Sequence, residues 1–245
     1  MNASNLDLSA ALLASNLEQV RRRVGAAAQR AGRDPAEVTL IAVTKTVSPA
    51  VAARLVVCGQ QVLAENRVDK FLEKHAAIPE AQIHLIGSLQ TNKVRFVVGQ
   101  TPLIHSIDSR RLLEKVQARA AALGIIQPVL LEVNVSGEDS KHGLTPDEAR
   151  DLACAVATDD LHSPNILING LMTMAPFDHA EAVRWVFRDL KGLRDTLRES
   201  LRLAPCSARV SMCELSMGMS NDFEVAIEEG ATLIRVGTAL FKETE

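Results

Sequence analysis

Leu215-Ser-Met-Gly-Met-Ser-Asn-Asp-Phe-Glu-Val-Ala-Ile-Glu-Glu-Gly-Ala-Thr-Leu-Ile-Arg-Val-Gly-Thr-Ala-Leu-Phe241 reads as a turn, a helix, a strand and a second turn in immediate succession. The Gly/Ser stretch 217–220 leads into an amphipathic helix that ends at Gly230. Residues 232–236 are apolar and strand-like, and Gly237-Thr238 opens another turn. Free backbone N–H groups at a helix start carry the positive end of the helix dipole, and glycine lets a ligand approach the backbone closely. Two such turns side by side would make an anion site suited to phosphate, with Arg235 between them.

Working outward, the same unit recurs along the chain. Thr39-Leu-Ile-Ala-Val43 is apolar on both faces, the mark of a parallel strand covered on both sides. Further strands are predicted over 62–64, 83–86, 102–107, 128–135, 165–172 and 210–215. Helices are predicted after Ser48-Pro49, over 68–75, 91–98 and 109–123, after Thr145, and from Asp178 and Glu181 through Leu197, the last read as the longest. Thr145-Pro-Asp-Glu148 is a capping box with proline at the first helical position. Near the start, Leu8, Leu12, Leu17, Val20, Val24 and Ala28 predict an amphipathic helix ending near Gly32. Asp34-Pro-Ala-Glu37 then has the form of a second capping box, with about one turn behind it.

Eight strand-then-helix units in 245 residues predict an α/β fold, a (β/α)8 TIM barrel with an extra N-terminal helix. The expected organisation is one domain over 1–245, with 1–38 as a helical lead-in and 39–241 as the barrel. A doubly wound open sheet is the alternative, because counting strands does not prove closure.

Composition narrows the partners. Hydrophobic residues make up 47% and charged residues 23%, with a net charge of −3, which gives no electrostatic case for nucleic acid or an acidic membrane. Arg21-Arg-Arg23 is too short a basic run to signal more than a solvated helix face. Cys58, Cys154, Cys206 and Cys213 lack CxxC spacing and are expected as buried free thiols of a reducing compartment, not zinc ligands. No signal peptide or membrane-spanning run is read, so a cytoplasmic location is expected.

In a barrel of this kind chemistry gathers just after each strand, where all the C-terminal ends share one face. Those positions hold Lys45, Glu65-Asn66-Arg67, Gly87-Ser88, His105 with Asp108, Asn134-Val-Ser136, Thr173, residues 216–220 and Gly237-Thr238. Lys45 ends a hydrophobic strand, where partial desolvation would favour a nucleophilic amine. The plain alternative is an ion pair between Lys45 and Glu65. A lysine able to condense with an aldehyde, opposite a phosphate cup, meets the requirement for pyridoxal 5′-phosphate (PLP).

Val43-Thr-Lys-Thr46, Ala64-Glu-Asn-Arg67, His84-Leu-Ile-Gly-Ser-Leu-Gln-Thr-Asn-Lys93, His105-Ser-Ile-Asp108, Val133-Asn-Val-Ser136 with Lys141-His-Gly143, Gly170-Leu-Met-Thr-Met174 and the block from Leu215 to Phe241 together resemble the PLP homeostasis protein family, also called alanine-racemase-N-terminal-like proteins. The resemblance covers residues 10 to 241. It implies a barrel of the alanine racemase N-terminal type with PLP held as a Schiff base on Lys45. It also implies cofactor contacts from Asn66, Ser220, Arg235, Gly237 and Thr238, with Met217 nearby. Departures are mild: Thr44 stands where serine is usual, Ala64 where glycine is usual, and Lys242 where glycine is common. By analogy with the racemases Arg235 faces the pyridine nitrogen, which leaves that nitrogen unprotonated and the ring a poor electron sink. A phosphate role for Arg235 is the alternative.

Two functional readings follow. The first is a PLP carrier that buffers or delivers the cofactor, with apo PLP-dependent enzymes as recipients, without robust catalysis. The second is an amino-acid racemase or another PLP enzyme of this barrel type. Two-base racemisation needs an acid/base on the cofactor face opposite Lys45, and such racemases use a tyrosine from a second domain of a partner subunit. The chain has no tyrosine and is read as ending after its barrel; His84, His105 or Cys213 would have to substitute. Lys70, Lys93 and Lys141 are read as solvated lysines, with a second PLP site as the alternative. A monomer is expected.

Overall fold

A computed structural model describes residues 8–138 and 142–242. Eight parallel strands, β1 (Thr39–Val43), β2 (Val62–Glu65), β3 (Gln82–Leu85), β4 (Ile104–Ile107), β5 (Gln127–Glu132), β6 (Ile166–Met172), β7 (Val210–Ser216) and β8 (Leu233–Val236), close in chain order into a barrel. Closure rules out the open-sheet alternative, and the closing pair is β1 with β8, where Ala42 lies opposite Val236. Alternation along the strands separates two cores. Ile41, Ala64, Leu103, Leu130, Met172 and Leu233 pack together inside the barrel, while Ala42, Leu63, Val129, Leu171 and Ile234 join the larger cluster under the helices. That period of two decides which side chains can reach the barrel mouth.

The helices are α1 (Ala10–Arg30), α2 (Pro49–Val57), α3 (Val68–Ala77), α4 (Arg110–Leu123), α5 (Pro146–Ala157), α6 (Arg184–Ser200) and α7 (Phe223–Glu228). Each start has a local cause where a cap is present. Ser9, Ser48 and Ser109 accept from backbone N–H groups at the starts of α1, α2 and α4, and Thr145 with Glu148 completes the predicted capping box of α5.

Several expectations are corrected. The predicted helix over 91–98 is only a 3₁₀ turn at Val94–Phe96: Val97 and Val98 are β-branched and Gly99 takes φ +85°, both unfavourable to an α-helix. Helix α6 has 17 residues against 21 in α1, and a 3₁₀ turn at Ala180–Val183 precedes it. The Asp178 carboxylate accepts from the His179 N–H and Glu181 pairs with Arg184, so neither caps α6. After Asp34 there is likewise only a 3₁₀ turn: Asp34 accepts from Ala36, but Glu37 turns back to Arg33.

Among the described residues no helix follows β8, and α1 fills the gap. It packs chiefly on α7 and next on α2, on the flank that an eighth helix would cover. Asn16 donates to the carbonyls of Leu240 (3.1 Å) and Lys242 (3.0 Å), and Arg33 donates to those of Ile227 and Ala231. Arg23 pairs with Glu224 at 2.9 Å and stacks over Phe223, while Arg21 donates to the Gly59 carbonyl. The Arg21-Arg-Arg23 run is therefore a docking edge as well as a solvated face. The cysteines are free, but Cys58, Cys154 and Cys206 are half-buried and Cys213 is exposed. Among the described residues no cluster of metal-binding side chains is present, and no helix is long and apolar enough to cross a membrane.

Candidate functional site

Lys45 sits in the turn after β1, and this turn is closed by the Val47 N–H donating to the Thr44 carbonyl at 3.1 Å. Its side chain is exposed, so the expected partial desolvation is not what the fold provides. Lys45 lies two residues past the end of β1. The alternative pairing with Glu65 is also excluded. Glu65 is fully buried and its Oε1 takes both Lys74 Nζ and the Thr44 hydroxyl (2.6 Å for the latter). Among the described residues Lys45 has no carboxylate partner.

The two turns predicted from the last stretch do come together. Ser220 Oγ accepts from the N–H of Gly237 at 3.3 Å and of Ala239 at 3.5 Å. Gly218, at φ +90°, has no room for a side chain: a Cβ would lie 2.6 Å from Ala226. The helix behind this turn, α7, is short, and its Asp222 accepts from the Met219 N–H. One correction concerns placement. The cup lies beside Lys45 and not across the barrel, because β1 and β8 are neighbours. A Cβ on Gly237 would lie 3.2 Å from the carbonyl oxygen of Val43, two residues before the lysine. Thr238 is exposed and Ser220 half-buried at this rim. Asn66 follows β2 and is half-buried; its backbone presses so closely on Gly87 that a Cβ there would lie 2.1 Å from the Asn66 carbonyl oxygen. Met217 is fully buried in the main hydrophobic cluster, which leaves only its backbone for a ligand.

Arg235 is buried inside the barrel, 4% exposed. It donates from Nη1 to Ser216 Oγ (2.6 Å) and from Nη2 to the Thr173 carbonyl (2.8 Å). Burial lowers its pKa to about 10, against the attraction of Asp222 and Glu132, so it stays charged at neutral pH. The network continues from Ser216 Oγ to His105 Nδ1 (2.8 Å) and from His105 Nε2 to His84 Nδ1 (2.9 Å). Arginine has only donors. The arrangement that gives the Ser216 hydroxyl hydrogen an acceptor therefore runs one way: Arg235 to Ser216, Ser216 to His105, His105 to His84, with each imidazole protonated on Nε2. Burial holds both imidazoles neutral, His84 at about 4 and His105 well below its ordinary value. Nitrogen-15 NMR should show both rings as neutral Nε2–H tautomers at pH 7; an Nδ1–H signal from His105 would reverse the order.

The sequence reading missed Glu132, the last residue of β5. The period-two pattern could have found it, since Leu130 faces the barrel interior and Glu132 follows two residues on. Its carboxyl is pushed up to about 7, first by burial and then by Asp108, against Arg235 and His142. A carboxyl raised in the folded state stabilises the fold fully below its unfolded value of 4.5, and this contribution disappears as pH rises to about 7. Glu132→Gln should therefore gain on the native protein by about 3 kcal/mol between pH 4.5 and 8 in paired urea titrations. A pH-independent difference would mean that Glu132 is not held in this way.

The remaining candidates lie elsewhere. Lys70 pairs with Glu73 at 2.7 Å and Lys93 is exposed, whereas Lys141 lies outside the described residues. Cys213 is on β7, its thiol on the Ser211 carbonyl at 3.6 Å.

Comparison with known proteins identifies the family of the barrel. Residues 15–245 match the family "Alanine racemase, N-terminal domain". A pyridoxal phosphate homeostasis protein of Aquifex aeolicus is 44% identical over 93% of this chain and 96% of its own length, and one from Escherichia coli is 35% identical over 94% and 95%. The structure of PipY from Synechococcus elongatus with PLP bound superposes with a TM-score of 0.79 at 31% identity, over 94% of this chain and all of that one. An alanine racemase of Clostridium difficile shares the fold alone: TM-score 0.69, 13% identity, over 95% of this chain and 56% of the racemase. The barrel, its closing strand pair and the cup beside Lys45 thus occur in a chain that belongs to the alanine racemase N-terminal domain family, among the pyridoxal phosphate homeostasis proteins.

Proposed function

We propose that this chain binds PLP, holding it covalently on Lys45, and that it buffers or delivers the cofactor in intracellular vitamin B6 homeostasis without robust turnover of its own. The observation that carries this reading is an exposed lysine, without a carboxylate partner among the described residues, one strand away from the Ser220–Gly237 cup. The residues suit the group. Ser220, Gly237 and Thr238 would hold its phosphate with backbone N–H groups and hydroxyls. Arg235 is anchored toward Ser216 and Thr173, inside the barrel and away from the cup, which favours the ring nitrogen over the phosphate as its target. Asn66 and the Met217 backbone complete the rim. The group itself supplies an aldehyde, which condenses with an amine and releases water.

The carrier reading is favoured over a racemase by what the interior histidines do. His84 and His105 are committed to each other and to Ser216, and burial holds them neutral, so neither is poised as a second acid/base. Arg235 adds a fixed positive charge that disfavours a protonated ring. Apo PLP enzymes are the proposed recipients, the cytoplasm the proposed location, and a single-domain monomer the proposed state, to be checked by sedimentation. Borohydride treatment of protein loaded with PLP should place the reduced adduct on Lys45 by peptide mapping. Recovery on another lysine would refute the site. In a transfer assay, reactivation of an apo-enzyme should outrun release of free PLP; equal rates would leave buffering alone.

A further inference from the structure

The residue before Lys45 has every polar atom engaged. Thr44 N donates to the Ala64 carbonyl at 3.0 Å, and its hydroxyl lies 2.6 Å from Glu65 Oε1 and 3.3 Å from the Ala64 carbonyl. Its carbonyl accepts from Val47 N at 3.1 Å, closing the lysine turn, and also from Lys74 Nζ at 2.7 Å. Lys74, on α3, is 1% exposed and pairs with Glu65, at the end of β2, which is 0% exposed. Lys74 and the Thr44 hydroxyl both converge on Oε1, while Glu65 Oε2, also buried, has no partner. The ion pair is thus assembled around Thr44 and does not satisfy the carboxylate evenly.

Burying such a pair carries a large desolvation cost, and well-packed apolar residues often serve stability as well. Its retention here needs another reason. We propose that Lys74 and Glu65 are positioning residues that fix the Thr44–Val47 turn, so that the Lys45 amine meets an aldehyde held in the cup at bonding distance. The base of the lysine is clamped by two other elements while its amine stays free, the combination that favours a productive encounter. The inference rests on the assignment of Lys45 above.

Removing one partner alone would strand a buried charge and risk unfolding, so the test uses the paired replacement Glu65→Leu with Lys74→Met, together with Thr44→Val. Three measurements are compared with the native protein: urea stability, affinity for 4′-deoxypyridoxine 5′-phosphate, which lacks the aldehyde, and the rate at which PLP becomes trappable by borohydride on Lys45. Stability and analogue affinity should stay close to native, whereas trapping should slow on the order of tenfold or more. In cofactor-free protein the Val47 amide should exchange faster with solvent. A native trapping rate in the folded paired variant would overturn the proposal, and so would slowing that merely follows weaker analogue binding. If the native protein itself gave no adduct on Lys45, the failure would lie with the site assignment.

Discussion

Lys45→Ala is expected to abolish covalent PLP retention: the absorption of the bound cofactor, the borohydride-trapped adduct and the mass increment should all disappear. Stability should be nearly untouched, because the Lys45 side chain is exposed and has no carboxylate partner among the described residues; changes at such positions usually stay within about 0.5 kcal/mol. Three other lysines are poorly placed to substitute. Lys74 is buried in its own ion pair, Lys70 is paired with Glu73, and Lys93 is a surface amine. A surface amine meets PLP at its bulk concentration, whereas Lys45 would meet it in the cup, an advantage of on the order of 10⁵ or more in effective concentration for well-oriented groups. Lys45→Arg should behave like Lys45→Ala, since guanidinium stays protonated and cannot condense. Retained adduct in both variants would refute the assignment. A residual, salt-sensitive affinity for the phosphate would remain compatible with it, because the cup is built from other residues.

The largest stability effect should come from breaking the Glu65–Lys74 pair on one side. Glu65→Ala leaves the Lys74 ammonium almost inaccessible to water, at 1% exposure, with only the Thr44 carbonyl as a partner. Truncating one member of a buried pair typically costs about 3–5 kcal/mol, a large share of the roughly 5–15 kcal/mol that holds a domain folded. A correspondingly lower urea midpoint is expected, with recovery when Lys74→Met is added. Exposed pairs offer the contrast. Arg67–Asp69 has both side chains more than half exposed, and Asp69→Asn should leave the midpoint unchanged within error. If Glu65→Ala proved equally silent, the buried pair would carry neither the stability nor the positioning ascribed to it.

The eight strands were legible because short apolar runs, of which Thr39–Val43 is the clearest, recur between helical segments and are bounded by turn residues. Caps such as Thr145 with Glu148 were equally readable, since they depend on neighbours three residues apart. The failures were of two kinds. The 91–98 segment, Thr-Asn-Lys-Val-Arg-Phe-Val-Val, is half β-branched and runs into Gly99, so local propensity did not hold a helix and its geometry was left to tertiary packing. Lys45 was read as partly desolvated because it follows an apolar strand, yet two residues past the strand's end are enough to reach solvent, while Thr44, the first of the two, stays buried.

From the sequence alone came the order of strands along the chain, the proposal of Lys45 as the amine that takes PLP, and the pairing of a Gly/Ser turn with Gly237-Thr238 as the proposed anion cup. These depend on short-range pattern and on residue chemistry, which local sequence carries. Closure was decided only in three dimensions, and with it the adjacency of the cup and the lysine, because β1 and β8 are separated by nearly the whole chain. The same holds for α1 standing in for an eighth helix, and for the Arg235–Ser216–His105–His84 line. The partner of Glu65 was also settled there: the sequence offered Lys45, twenty residues away, while the fold brought Lys74 from one turn of α3 back under the strand ends. A buried carboxylate takes whichever cation the packing seals in beside it, and that is a property of the closed barrel.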